Sequence, residues 1–178
     1  MRPLGHLAGG YLVARAFLKL LQPPPAEEPV LLALGAGSGL LPDADTLVYV
    51  AKTGAMEFGE DFDHHRWVSH TFPVYLAPGL LLYAYARRQG RQRLSRGALV
   101  TLAGTIVHLL QDTIGSGTGL MWAWPFSRRM DGICTLHVKG GRAWLETYTH
   151  HPIAWVERSI ILAAVAAFAV DVWGRLRK

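Results

Sequence analysis

Five apolar segments run through this 178-residue chain, and most of its metal-binding and basic side chains lie at the ends of these segments. The segments cover residues 5–21, 30–41, 72–86, 98–110 and 153–173. Hydrophobic residues make up 51% of the chain and charged residues only 17%, whereas soluble domains carry about 25% charged residues. The sequence therefore predicts an all-α protein, a membrane-embedded bundle of about five helices that forms a single domain over residues 1–178.

The stretches between the segments predict where the helices end. The first segment stops at a run of three prolines, because proline cannot continue a helix. We expect a helix there and not a signal peptide, since Arg15 and Lys19 interrupt the apolar run and no A-x-A cleavage site follows. A long irregular connection rich in Gly, Trp and Arg covers residues 114–151, and strands at 135–139 and 143–147 would form a short β-hairpin within it.

Basic residues mark one face of the predicted bundle. The net charge of +5 is compatible with a nucleic-acid partner or an anionic membrane surface. Eight of the 18 basic residues lie in the loop between the third and fourth segments or at the end of the chain: Arg87, Arg88, Arg91, Arg93, Arg96, Arg175, Arg177 and Lys178. Short cytoplasmic loops are enriched in Lys and Arg, so we interpret both clusters as cytoplasmic and expect the lipid bilayer, not nucleic acid, as the partner.

The candidate metal ligands fall on the opposite face of this bundle. They are His6, Asp43, Asp45, His65, His70, His108 and Asp112. If the Arg-rich loop is cytoplasmic, a multi-pass path through the membrane places all of these ligands at the outer surface. The uninterrupted apolar cores are roughly 12 to 15 residues long, shorter than the about 20 residues that span a bilayer. A soluble five-helix bundle with buried helices is therefore the alternative.

His108 and Asp112 form a moderately specific pair. They are four residues apart, about 40° on a helical wheel, so their side chains share one helix face and can bind one ion or bridge two. The alternative is a core histidine that is hydrogen-bonded to a carboxylate one turn away. Asp112 lies in an otherwise apolar helix that continues the fourth segment, where an ionisable group is costly and is a functional-site candidate for that reason.

Two further pairs need a break in the helix before they can converge. His65 and His70 would lie about 140° apart on a continuous helix, so they converge only if the helix begins between them. Asp43 and Asp45 follow Pro42 on a turn that can direct both carboxylates into a cavity. A helix cap on a solvated turn explains the two aspartates equally simply.

Other charged residues are candidates for catalysis or substrate binding. Arg66 is a candidate for binding a substrate anion, since guanidinium matches phosphate bidentately, and its alternative role is an interfacial anchor. Glu157 interrupts the fifth segment and is a candidate ligand or general base, with an ion pair to an arginine as the alternative. Arg128 and Arg129 are further candidates for holding a phosphate.

The motifs form an ordered series along the chain. The series is Gly5-His6, Leu41-Pro42-Asp43-x-Asp45, His65-Arg66-x-x-Ser69-His70-Thr71, His108-x-x-x-Asp112-Thr113, Trp124-Pro125-Phe126-Ser127 and Glu157-Arg158. Over nearly the whole chain it resembles the YdjM-type family of membrane-bound, metal-dependent hydrolases, most specifically in the block around His70 and the later His-x-x-x-Asp. The resemblance implies a helical protein of the inner membrane with a metal-dependent hydrolytic centre.

Together these observations predict a hydrolase with a His/Asp metal centre. The candidate ligands would hold one or two divalent ions, and their number favours two, because a catalytic zinc keeps three protein ligands and an open position. Asp112 or Asp43 is the expected bridge. Zinc is favoured by the imidazole count, and manganese or iron would also accept the carboxylates. Such centres suit phosphoester hydrolysis, and a lipid-linked phosphate would explain a site at the membrane surface.

Two other classes of function remain open from the sequence. A metal-binding membrane transporter or sensor would use the same ligands without catalysis. A membrane-tethered interaction protein would bind an acidic partner with its Arg-rich loop. The sequence does not predict the oligomeric state or the particular substrate.

Overall fold

A computed structural model describes residues 1–54, 63–115, 117–134, 136 and 141–177. Within these residues the fold is all-α, as predicted, with seven α-helices. The helices are α1 (Pro3–Leu21), α2 (Glu28–Ser38), α3 (Asp45–Thr53), α4 (Phe72–Arg88), α5 (Gln92–Gly115), α6 (Gly141–His150) and α7 (Ile153–Leu176). Short 3-10 turns precede α2, α3 and α4 at Pro25–Glu27, Pro42–Ala44, His64–Arg66 and Val68–His70.

The five apolar segments become α1, α2, α4, α5 and α7, and two shorter helices join them. The strand prediction at residues 143–147 is wrong, because this stretch lies in α6. Aromatic residues such as Trp144 and Tyr148 are common in strands. Here they are four residues apart on one helix face, and their ring centroids stack 4.8 Å apart. The other predicted strand, residues 135–139, lies outside the described residues except for Leu136. In the described part of the chain, β pairing is confined to an isolated antiparallel bridge between Leu120 and Asp131.

Glycine allows α1, α2 and α5 to pack with their backbones close together. A Cβ atom added at Gly10 would lie 2.2 Å from the Gly35 carbonyl oxygen, and one added at Gly104 would lie 2.2 Å from the Ser38 hydroxyl. No real side chain tolerates such distances, so these positions need glycine. The close approach of the three helices sets the spacing of the side chains that they carry at one end.

The long helices run alternately up and down, so their ends form two distinct faces of the bundle. α1, α4 and α7 begin at the face where α2 and α5 end. Contacts between α1 and α7 show that these two helices run parallel: Arg2, just before α1, contacts Glu157, and Arg15 farther along α1 contacts Asp171. We call the first face the site end and the opposite face, which carries the Arg-rich loop and Arg175, the basic end.

Two of the described helices, α5 and α7, are long and apolar enough to cross a membrane by length and composition. Each has 24 residues, about 36 Å of helix against a hydrocarbon core of about 30 Å. In the most apolar 18-residue stretch of α5, half of the residues are buried inside the protein. In the corresponding stretch of α7, only 22% are buried. α2 has 11 residues, about 17 Å, so it covers only about half of that thickness.

Candidate metal centre

Four predicted ligands meet at the site end of the bundle. Asp43, His70, His108 and Asp112 each offer a ligand atom, and these atoms lie within 4.8 Å of one another. Asp112 Oδ2 lies 3.0 Å from His108 Nε2, and Asp43 Oδ1 lies 3.5 Å from His70 Nε2 and 3.7 Å from His108 Nε2. Two imidazoles and two carboxylates in this arrangement are a ligand set typical of zinc, manganese or iron sites. We call these four residues the His/Asp centre.

The local structure around each ligand explains why the four converge. His108 and Asp112 lie one turn apart on α5, as their spacing predicted. Asp43 lies in the 3-10 turn Pro42–Ala44, where Pro42 occupies the first position and the chain turns from α2 into α3. His70 ends the turn Val68–His70 just before α4, so the helix begins after both His65 and His70 and not between them.

Three atoms of the His/Asp centre are buried and make no hydrogen bond within the described residues. They are His70 Nε2, His108 Nε2 and Asp112 Oδ2. A buried polar atom without a partner is costly, and native proteins rarely keep one unless an ion, a water molecule or a ligand satisfies it. Here all three atoms point to a common centre and the set includes an anionic oxygen. Their chemistry fits a divalent cation.

Hydrogen bonds on the far side of each imidazole direct its Nε2 atom toward the centre. His108 Nδ1 lies 2.7 Å from the Gly39 carbonyl oxygen, which only accepts, so Nδ1 donates and Nε2 presents a lone pair. His70 Nδ1 lies 3.1 Å from Asp45 Oδ2, and the Ser69 hydroxyl donates to the same oxygen at 2.6 Å. A carboxylate or carbonyl behind a ligating histidine is the usual support for a metal ligand. Asp45, predicted as a ligand, therefore lies behind His70.

Burial and hydrogen bonding pull the pKa values around His70 in opposite directions. Burial alone would raise the pKa of Asp45, but hydrogen bonds from His64, His70 and Ser69 hold this pKa well below its usual range. Burial alone would lower the pKa of His70, but the neighbouring Asp43 and Asp45 carboxylates outweigh it and raise the pKa to about 9. The surroundings of His70 are thus strongly anionic and attract a cation.

A second group of imidazoles lies on the less buried side of the centre. It consists of His64, His65 and His70, and it also satisfies the distances of a metal site. His65 Nε2 lies 3.4 Å from Asp112 Oδ2, and His64 Nδ1 lies 3.3 Å from Asp45 Oδ1. His70 belongs to both groups, so they form one continuous cluster. His64 was not predicted as a ligand, although its position directly before His65 on a loop was a usable signal.

His6 lies beside the four ligands and packs against one of them. Its ring stacks on His108 with 3.8 Å between ring centroids, and its Nε2 lies 3.1 Å from Asp112 Oδ1. The same carboxylate oxygen pairs with the α-amino group of Met1. His6 Nδ1 lies 3.1 Å from Gln111 Oε1, so Gln111 and Asp112 together fix the start of α1 against α5. Sequence reasoning missed Gln111, whose signal was a second polar residue in an apolar helix.

The two predicted catalytic residues lie outside the His/Asp centre. The Arg66 side chain is 64% exposed and pairs with Asp63, with 3.1 Å between Nε and Oδ2. Glu157 is fully buried, and its carboxylate accepts hydrogen bonds from Arg2 Nε at 2.8 Å and from the Tyr148 hydroxyl. The pair between Arg2 and Glu157 corresponds to the alternative role given to Glu157 above, an ion pair with an arginine. A catalytic role for either residue stays a prediction.

An all-α bundle with a buried His/Asp cluster at one end and two helices of membrane-spanning length belongs to the class of helical membrane proteins with a candidate metal centre. The chain belongs to the YdjM inner membrane protein family, whose model matches residues 1–176. The family resemblance predicted from the motifs is therefore confirmed, and the inner membrane is the location that the family indicates. No curated protein and no solved structure matches the chain.

Proposed function

We propose that this protein is a metal-dependent hydrolase of the inner membrane that acts on a phosphoester, in particular a lipid-linked phosphate. The observation that carries the proposal is the convergence of His70 Nε2, His108 Nε2 and Asp112 Oδ2 as buried atoms without hydrogen bonds in the described structure. Asp43 completes the set, with its Oδ1 atom 3.5 Å from His70 Nε2 and 3.7 Å from His108 Nε2. Burying these atoms without a partner costs free energy, whereas a cation bound between them satisfies all of them.

The ligand count bears on the number and identity of the ions. Four protein donors around one ion fill a tetrahedral zinc site, whereas manganese or iron accepts further ligands from water and substrate. His64 and His65 provide two additional imidazoles on the less buried side, which supports a second ion that shares the cluster. A divalent ion in this cluster supplies Lewis-acid chemistry: it activates water and stabilises negative charge on a phosphoryl group.

The residues around the centre have distinct roles in this proposal. Asp45 and the Gly39 carbonyl hold the His70 and His108 rings in the orientation that points Nε2 inward. His65, less buried than these rings, lines the side from which a substrate approaches. Arg66 follows it directly, and its exposed pair with Asp63 is of a kind that contributes little stability, so its guanidinium can turn to a phosphate.

The distribution of charge supports a site at the outer membrane surface. The basic end of the bundle carries the Arg-rich loop, and the site end carries the His/Asp centre. Basic short loops favour the cytoplasmic side, so we place the basic end in the cytoplasm and the chain in a multi-pass path. In that orientation the centre faces the outer leaflet, where headgroups of lipid-linked phosphates are accessible.

Metal analysis and phosphatase assays on purified protein test this proposal. We expect one or two equivalents of zinc, manganese or iron in the wild type, and loss of the metal and of phosphomonoester hydrolysis in the His108→Ala/Asp112→Ala variant. Asp171→Asn is the matched control, because Asp171 is also a helical carboxylate in an ion pair but lies toward the basic end. A folded wild type that stays metal-free after addition of these ions would overturn the proposal.

One observation favours a metal-binding transporter or sensor as the second candidate. Four protein donors fill a tetrahedral site, which is the pattern of non-catalytic zinc sites. The same purified protein separates the two functions: stoichiometric metal without turnover of any phosphoester, combined with metal exchange across a liposome membrane, would favour transport over hydrolysis.

A further inference from the structure

A large apolar groove lies between α2, α4 and α5. Its volume is about 740 Å³. Most of its walls are aliphatic side chains and glycines, among them Val30, Leu31, Leu34, Leu82, Leu94 and Leu102. Val30, Leu34 and Leu82 are each at least two-fifths exposed, so the groove opens to the surroundings of the protein. Contact between water and such a concave apolar surface is unfavourable, and a hydrocarbon chain that fills the groove removes this contact.

One end of the groove lies next to the His/Asp centre. Leu41 lines the groove and directly precedes the Pro42–Ala44 turn that carries Asp43. Thr105 also lines it and lies three residues before His108 on α5, so the two side chains share a helix face. Tyr75 lines it from the first turn of α4, just after His70. A molecule that occupies the groove therefore ends beside the metal ligands.

The other end of the groove lies toward the basic end of the bundle. It is lined by Leu94 and Gly97 on α5 and by Arg91 and Arg93 beside them. From Leu94 to Thr105 the groove follows 11 residues of helix, which is about 17 Å at 1.5 Å per residue. One leaflet of a bilayer has a hydrocarbon depth of about 15 Å, half of about 30 Å. This length is close to that of one lipid chain, so the groove can hold a single chain between the His/Asp centre and the basic end of the bundle.

We propose that this groove binds the alkyl chain of a phosphate-bearing amphiphile, with the phosphate at the His/Asp centre and the chain end near Leu94 and Gly97. The inference rests on the proposed function and names its substrate class. The metal centre attracts the anionic headgroup, and the groove contributes affinity in proportion to the apolar area that the chain buries, about fourfold per methylene. Long-chain phosphates therefore bind far more tightly than short ones.

Gly97 allows the groove to be blocked without touching the metal ligands. A Cβ atom at this position would meet only Leu34 Cδ1, at an ordinary contact distance of 3.5 Å, so a larger side chain extends into the open groove. We expect Gly97→Trp to fill the far half of the groove. Gly174→Trp is the matched control, since a Cβ atom at Gly174 in α7 would meet nothing within 4 Å.

Photolabelling tests both the occupancy of the groove and the direction of the chain. The probe is hexadecyl phosphate with a diazirine at the chain end, added to the protein in phosphatidylcholine nanodiscs, and the labelled residues are mapped by peptide mass spectrometry. We expect labelling at residues 94–98 and 30–34 that dodecyl phosphate competes away and butyl phosphate does not. Gly97→Trp should lower this labelling at least tenfold, whereas Gly174→Trp should leave it unchanged.

The outcomes separate this inference from the proposed function. Labelling that is spread over the outward surface of α7, without competition, would overturn the groove as a binding site. Labelling at Leu41 and Tyr75 would show a chain of opposite direction, with its headgroup at Arg91 and Arg93, and would overturn the inference too. Retained far-end labelling in a metal-free His108→Ala/Asp112→Ala variant would support the groove even if the hydrolase proposal fails.

Discussion

At the scale of single residues, the centre depends on which atom of each ring faces inward. The Gly39 carbonyl fixes the proton of His108 on Nδ1, and the Asp45 carboxylate engages His70 from the same side of its ring. Asp45 in turn accepts a hydrogen bond from Ser69. These supporting contacts prearrange the ligands, so removal of one of them should weaken metal binding without removing a ligand.

We expect Asp45→Asn to weaken metal affinity by about 10- to 100-fold, the usual effect of losing a carboxylate behind a ligating histidine. The number of ions bound at saturation should not change, because Asp43, His70, His108 and Asp112 all remain. Competition of the purified variant with a chromogenic chelator measures both quantities. Asp131→Asn serves as a control, since Asp131 pairs with the exposed Arg129. Equal affinity in wild type and Asp45→Asn would contradict a supporting role for Asp45.

At the scale of helices, the spacing of α1, α2 and α5 is set by small residues. A Cβ atom at Gly35 would lie 2.3 Å from the Ala14 Cβ atom and 2.7 Å from the Gly10 carbonyl oxygen. α1 carries His6, the Asp43 turn follows α2, and α5 carries His108. A larger residue in this contact would move the elements that position the centre, even though it lies away from the ligands.

Gly35→Ala should destabilise the protein by about 1–3 kcal/mol, because the added methyl group overpacks a contact that involves backbone atoms. Gly37→Ala on the same helix is a close control: a Cβ atom there would meet nothing within 4 Å, so this change should be neutral or stabilise by up to about 1 kcal/mol. Thermal unfolding of both variants in one detergent compares them directly. If the two substitutions lowered the unfolding temperature equally, helix spacing would not be the cause.

At the scale of the whole molecule, apolar surface and charge are arranged along one axis. α7 exposes large apolar side chains along its length, such as Leu162, Phe168 and Trp173, which suits contact with lipid. The Arg-rich loop and Arg175 lie at one end of this axis, and the His/Asp centre lies at the other, together with Arg2 and Arg66. In the orientation that we propose, the bilayer normal runs along the helices, so that the apolar surface contacts lipid and both ends of the bundle lie in water.

Cysteine labelling in intact cells tests the orientation that we propose. In a Cys134→Ser background, Phe126→Cys should react with a membrane-impermeant maleimide, because Phe126 is 96% exposed in the loop that follows α5 at the site end. Gln89→Cys, in the Arg-rich loop, should react only after the cells are lysed. The reverse pattern would place the centre in the cytoplasm and would contradict access from the outer leaflet.

The sequence predicted those features that depend on local pattern. The apolar segments identified the five long helices, and the spacing of His108 and Asp112 placed both on one face of α5. It did not predict α3, a helix of only nine residues, or α6, whose aromatic and β-branched residues favoured a strand. In α6, the Tyr148 hydroxyl donates a hydrogen bond to Glu157 on α7, a tertiary contact that the local sequence pattern does not contain.

The parts of the site that the sequence did not reveal are those created by packing. The Gly39 carbonyl behind His108 belongs to the backbone, so no residue type in the sequence indicates it. Asp45 carries the right chemistry for a ligand, and only the fold shows that its carboxylate lies behind His70. The groove likewise lies between three helices, α2, α4 and α5, so no pattern within a single segment predicts it.

The four ligands of the His/Asp centre are dispersed over the chain, and this has a consequence for biogenesis. Asp43, His70 and the pair on α5 come from separate elements, and none of those elements alone offers more than two ligands. Under the proposed function, a nascent chain cannot bind an ion tightly until α5 has docked against its neighbours. Metal occupancy would then report correct assembly in the membrane, and scarcity of the ion would expose the protein to turnover as if it were misassembled.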